Sequence, residues 1–156
     1  MVIVDLRGIT MNQLEALQKL KDLDHRIRTV QQIAAVLGWD QETYLPEGAV
    51  EDRSRQLAWL ETQAHSLLTS SEMGDLIALL EDSPPEGEVD RALVQTLARD
   101  HRRAVKLPAE LVERRARHVS VSQAAWAKAR KDDNFEAFRP YLETMVDITR
   151  EVTRHL

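Results

Sequence analysis

QLEALQKLKDLDHRIRTVQQIAAVLG, residues 13–38, decides the fold class. Its apolar side chains Leu14, Leu17, Leu20, Leu23, Ile27, Val30, Ile33 and Leu37 recur by threes and fours. That interval stacks them on one face of an α-helix, where a strand would need strict alternation. Thr10 followed by Gln13 has the form of a capping box, and Gly38 offers a C-terminal stop. The predicted helix is roughly 40 Å long.

Working outward, WDQETYLPEG (39–48) carries Pro46 and Gly48 and is expected to be an irregular connection. A second helix is predicted over about 49–68, with Leu57, Leu60, Ala64 and Leu67 inward. Ser70 or Ser71 caps a short third helix carrying Leu76, Ile77, Leu79 and Leu80. DSPPEGE (82–88) is the clearest linker, because consecutive prolines oppose a helix. A fourth helix holds Val89, Leu93, Leu97, Ala98 and Val105, and stops at Lys106-Leu107. Pro108 suits the first turn of a fifth, which continues through Leu111, Val112, Val119 and Trp126. KDDN (131–134) breaks it. Phe135 and Phe138 are expected to anchor a turn before Pro140 opens a last helix bearing Leu142, Met145, Val146, Thr149 and Val152. The expected fold is all-α with about six helices and no internal repeat.

Composition agrees. Hydrophobic residues make up 43% and charged residues 30% of 156, with only five Gly and five Pro, a globular and helix-forming vocabulary. The net charge of -5 is mild and the basic residues are interspersed with acidic ones, so nucleic acid is not an expected partner. There is no cysteine, which excludes disulfides and thiolate metal sites. No run is long enough to span a bilayer. MVIVDLRGIT (1–10) is too short and too charged for a signal peptide; a bland leader, or a mis-annotated start with Met11 as the natural beginning, is the expectation. The last helical pattern runs to Leu156 without a stop signal, consistent with either fraying or a cut within a longer helix.

Catalytic chemistry is hard to place. A helical zinc peptidase uses HExxH, in which two imidazoles one turn apart hold the metal and the Glu serves as base. None of His25, His65, His101, His118 and His155 is followed by Glu, and no two are four residues apart. Glu61 and His65 share a helix face, a spacing better explained by a surface hydrogen bond than by a metal. No nucleophile elbow or phosphate loop occurs. Asp22/Asp24, Glu51/Asp52 and Asp132/Asp133 suit solvated helix ends, while HRR (101–103) and ERRAR (113–117) suit a solvated helix face. No catalytic and no metal-binding residue is assigned.

LGWDQETYLPEG (37–48), followed by Arg53, Gln56-Leu57 and His65, resembles the N-terminal signature of the carboxypeptidase Taq family. RRAVKLPAELV (102–112) is similar to that family's xRATKLPxELV segment. AAWAKARKDDNFEAFRPYLETMV (124–146) is similar to its AWxxAR…DFxxFxPxLexxV segment. The three blocks stand in family order and cover nearly all of residues 11–156. Leu45 replaces a frequent Met, and Val105 a Thr.

The resemblance implies the N-terminal helical portion of a larger, mainly helical zinc metallocarboxypeptidase, an intracellular homodimer that trims peptides from the C-terminus. It also implies that the zinc motif lies further along the family's sequence, leaving this chain without cofactor and inactive alone. Trp39, Asp40, Thr43, Pro46, Arg53 and Gln56 are the motif residues, expected either to line a cleft or to lock two helices. The expected partners are a second copy or the catalytic portion, with peptide bound only by a complete enzyme. The other expectation is a free-standing helical interaction or dimerisation module.

Overall fold

The computed structural model describes residues 3–4 and 10–156. Six helices form the chain: α1 (Gln13–Thr43), α2 (Val50–Leu68), α3 (Ser71–Asp82), α4 (Glu88–Ala104), α5 (Ala109–Lys131) and α6 (Phe135–His155). The fold is all-α. A minimal antiparallel ladder, β1 (Ile3–Val4) with β2 (Thr10–Met11), precedes them and was not expected from the sequence. The leader or mis-start expectation for residues 1–10 falls mostly outside the described residues.

Several boundaries differ from the sequence expectation. The cap of α1 is Asn12, whose side chain accepts from Glu15 N at 2.9 Å while Glu15 accepts from Asn12 N at 3.3 Å. Asn12-x-x-Glu15 is the better box, since an ionised Glu meets the positive end of the helix. Gly38 does not end α1, which continues through WDQET to Thr43. A lone helical glycine costs only about 1 kcal/mol, less than packing restores. Pro108 is the residue before α5 and not within it, accepting from Leu111 N and Val112 N through its carbonyl.

Pro140 lies inside α6, which opens at the Asn134 cap. Near a helix start Pro removes only one bond, here the one to the Glu136 carbonyl. α5 ends in a Schellman motif. Asn134 N donates to Ala129 O at 2.8 Å and Asp133 N to Arg130 O at 3.4 Å, with Asp133 in the left-handed region at φ 47. One short asparagine thus closes α5 and caps α6.

The main core lies where the first half of α1 meets α3, α4 and the end of α2. Leu20, Met73, Leu76 and Leu80 are its largest fully buried side chains, joined by Leu17, Ile27, Val94 and Leu97. Leu14, Val89 and Val105, expected inward, are exposed, and Val94 takes the inward place on α4. Gln13 ties the start of α1 to the 83–87 connection, donating to Ser83 O at 2.8 Å and Pro84 O at 2.9 Å. A second seam runs where α2 packs on α5 and on α1, and α6 packs on α5. Ile33, Val36, Trp39, Val119 and Trp126 remain exposed beside it.

Candidate functional site

The α1–α2 junction gathers part of the motif. Arg53, one turn into α2, is buried, and its guanidinium donates to the Leu37 carbonyl and to Asp40 Oδ2, the latter at 2.6 Å. Arg53 Nε donates to Gln56 Oε1 at 3.1 Å. Leu37 and Asp40 sit in the last two turns of α1, where the helix dipole is negative and a cation is favoured. A buried guanidinium is tolerated because its donors find acceptors. Asp40, Arg53 and Gln56 therefore form one node.

The other motif residues stand apart from it. Thr43 Oγ1 donates to Trp39 O at 2.8 Å, a bond within α1. The Trp39 ring lies edge-on to Tyr44 at 5.6 Å and is exposed. Pro46 starts a single turn of 3₁₀ helix and accepts from Ala49 N at 2.9 Å.

An open groove of about 490 Å³ runs between the second half of α1, α2 and α5. Ala34, Ala35, Gly38 and Ala116 keep its walls low, and Glu42, Glu61 and Arg115 add charge. A Cβ added at Gly38 would meet nothing within 4 Å. Gln41 bridges α1 to α5: Nε2 donates to Ser120 O at 2.8 Å and Gln123 Oε1 at 3.0 Å, and Ser120 Oγ donates to Gln41 Oε1 at 2.7 Å. This clamp was not anticipated. The signal available was Ser120 and Ser122 amid valines mid-helix, small polar residues suited to a close helix contact. Ser122 Oγ is buried without a partner among the described residues.

Three of the five histidines, His65, His101 and His118, tie elements of the scaffold together. Because carbonyls only accept, each ring nitrogen facing one carries the proton. His101 Nδ1 donates to Leu68 O at 2.7 Å, satisfying an orphan carbonyl at the end of α2. His65 Nε2 donates to Leu107 O at 3.2 Å and His118 Nε2 to Tyr141 O at 2.9 Å. Among the described residues, no three His, Cys, Asp or Glu come together in a way that would hold a metal ion. A metal therefore has no fitting donor set here. Three of the five exposed arginines in the two basic runs bridge helices: Arg102 to Glu81 at 3.0 Å, Arg114 to Glu151 and Arg117 to Glu51. Among the described residues no helix is long and apolar enough to cross a membrane.

Six helices, with Arg53 held on Asp40 at the α1–α2 junction beside an open groove, define an all-α segment in which no metal-holding cluster forms among the described residues. The chain belongs to the carboxypeptidase Taq (M32) metallopeptidase family, whose profile matches residues 19–156. It is 26% identical over 144 residues to thermostable carboxypeptidase 1 of Pyrococcus furiosus, covering 92% of this chain and 29% of that protein. With thermostable carboxypeptidase 1 of Thermus thermophilus it shares 29% identity over 139 residues, 87% of this chain and 27% of the relative. The crystal structure of BsuCP superposes with a TM-score of 0.87 at 25% identity, over 90% of this chain and 28% of that one. The chain thus spans less than a third of the relatives it matches.

Proposed function

We infer that this chain is the N-terminal, cleft-covering helical segment of a zinc metallocarboxypeptidase that removes residues from peptide C-termini. By itself it is inactive, because HExxH is missing from its sequence. The observation that carries this reading is the family match over residues 19–156 in a chain whose α1–α2–α5 side is an open groove. The exposed Ile33, Val36 and Trp39 on the same half of α1 suit contact with a catalytic portion. The Asp40–Arg53 node fixes the angle at which α1 and α2 present that side.

The test is complementation in trans. The Pyrococcus furiosus relative, cut back to the part beyond its match to this chain, is mixed with this chain and zinc. Association with a rise in release of C-terminal amino acids is expected. Two folded partners that neither associate nor gain activity would contradict the reading. The alternative, a helical self-association module, draws support from a different surface, the exposed apolar stripe of α6.

A further inference from the structure

The groove between α1, α2 and α5 holds three charged side chains that the scaffold leaves unused. Glu42 comes from α1, Glu61 from α2 and Arg115 from α5, and all three line it. Among the described residues none of them enters an ion pair or a side-chain hydrogen bond, whereas Arg114 and Arg117 beside them are held by Glu151 and Glu51. Their order along the groove follows from the helix directions. α2 and α5 run antiparallel, since Glu51 meets Arg117 and, toward the other end, His65 meets the Leu107 carbonyl. Glu61, one turn before His65, therefore lies on the Val112 side of Arg115. Gln41 of α1 bonds Ser120 and Gln123, which puts its neighbour Glu42 on the opposite side. Along α5 that level stands roughly 8–12 Å from Arg115. The sequence of charges is anion, cation, anion, with the second anion further off than the first. Leu57, Val112 and Val119 supply apolar wall between them.

We propose that this groove binds a free amino acid with a cationic side chain, arginine or lysine. Two carboxylates and one guanidinium leave one net negative charge, so the complementary occupant carries two cations and one anion. A basic amino acid has that set in the required spacing, with one cation beside its carboxylate and the other at the end of a long side chain. Arg115 takes the α-carboxylate on its planar fork, Glu61 the α-ammonium and Glu42 the side-chain cation. The ligand's methylenes lie along Leu57 and Val119. A polyamine lacks the anion and sets a cation against Arg115, and a neutral amino acid leaves Glu42 unmet. A peptide ending in arginine presents an amide to Glu61 where the free amino acid presents an ammonium. The groove is open, so the complex is weak, with a Kd on the order of 1 mM, and salt-sensitive. This inference stands apart from the peptidase reading, because every charge of the ligand is met by this chain and its test measures binding and not activity.

The full chain, isotope-labelled, is titrated with L-arginine at low ionic strength and followed by its amide chemical shifts. Saturable shifts at Ala35, Gly38 and Ala116 are expected. Three analogues each lack one charge: agmatine the carboxylate, N-acetylarginine the ammonium and citrulline the guanidinium cation. Each is expected to bind the parent chain about three- to fivefold more weakly than arginine. Arg115→Gln, Glu61→Gln and Glu42→Gln should each weaken arginine and erase the discrimination against the one matching analogue, leaving the other two intact. All three positions are exposed, so the variants fold, and unchanged shifts remote from the groove check that they do. No saturable shift at the groove with arginine up to about 20 mM overturns the proposal. Agmatine binding as tightly as arginine overturns it as well, showing a groove that merely attracts cations. N-acetylarginine binding as tightly does so too, by assigning the groove to peptide ends. Variants that keep every discrimination of the parent chain have the same consequence.

Discussion

Asp40 and Arg53 meet at 2.6 Å across the α1–α2 junction, but the burial is one-sided: the Arg53 side chain is 9% exposed and that of Asp40 36%. The two halves of the pair are therefore unequal under mutation. Asp40→Ala strands a buried cation, with an expected loss of about 2–3 kcal/mol. Arg53→Met leaves a carboxylate that water reaches and an apolar chain in the guanidinium's place, with a loss of about 1 kcal/mol. Urea unfolding of both variants, with unchanged slope, measures the order. An Arg53→Met loss larger than that of Asp40→Ala would show that the cation is not the buried partner.

Gly38 and Gly74 both lie inside helices, and their surroundings separate them. A Cβ at Gly38 meets nothing within 4 Å, so Gly38→Ala should stabilise the chain by about 0.5–1 kcal/mol through helix propensity alone. At Gly74 the Cβ would stand 3.3 Å from His101 Nε2, in the ring that caps α2. Gly74→Ala should therefore lose most or all of that gain. Paired thermal melts decide.

The Gln41–Ser120 clamp is expected to behave as one unit. Gln41→Leu removes three bonds between α1 and α5 and should cost about 1–2 kcal/mol. Ser120→Ala should cost less, because Gln41 keeps the Ser120 carbonyl. A double-mutant cycle should give a coupling of about 0.5–1.5 kcal/mol. Strict additivity would mean that the two side chains do not meet in solution.

Leu14 and Leu20 belong to the same sequence stripe yet have opposite fates, 76% and 0% exposed. Leu20→Ala should destabilise by about 2–5 kcal/mol. Leu14→Ala should fall within about 0.5 kcal/mol of the parent. Denaturant midpoints for the two variants test whether the core is where the helix contacts place it.

How much of this was legible in the sequence follows from what each signal encodes. Periodicity found all six helices, since the 3–4 spacing of Leu17, Leu20, Leu23 and Ile27 belongs to the chain itself. Helix ends were less legible. Thr10 and Asn12 both carry capping chemistry, and only the tertiary path selects Asn12-x-x-Glu15. Gly38 and Pro140 resemble punctuation, but packing on either side outweighs a single unfavourable residue. Leu14 and Val89 fit their stripes and are nevertheless exposed, because periodicity specifies a face and not the length of helix that finds a neighbour.

At the candidate site, the motif residues were recognisable as a group, but their division was not. Asp40, Arg53 and Gln56 converge, while Trp39, Thr43 and Pro46 make local contacts. The Gln41–Ser120–Gln123 clamp depends on a helix contact between residues about eighty positions apart, which no local pattern encodes.

The most direct test of the central claim, a family scaffold segment without its own catalytic centre, is a peptidase assay on the purified chain alone. Short peptides are incubated with it and with zinc or cobalt, and free C-terminal amino acids are quantified. No release above the metal-only control is expected. Metal-dependent release that scales with chain concentration would contradict the account.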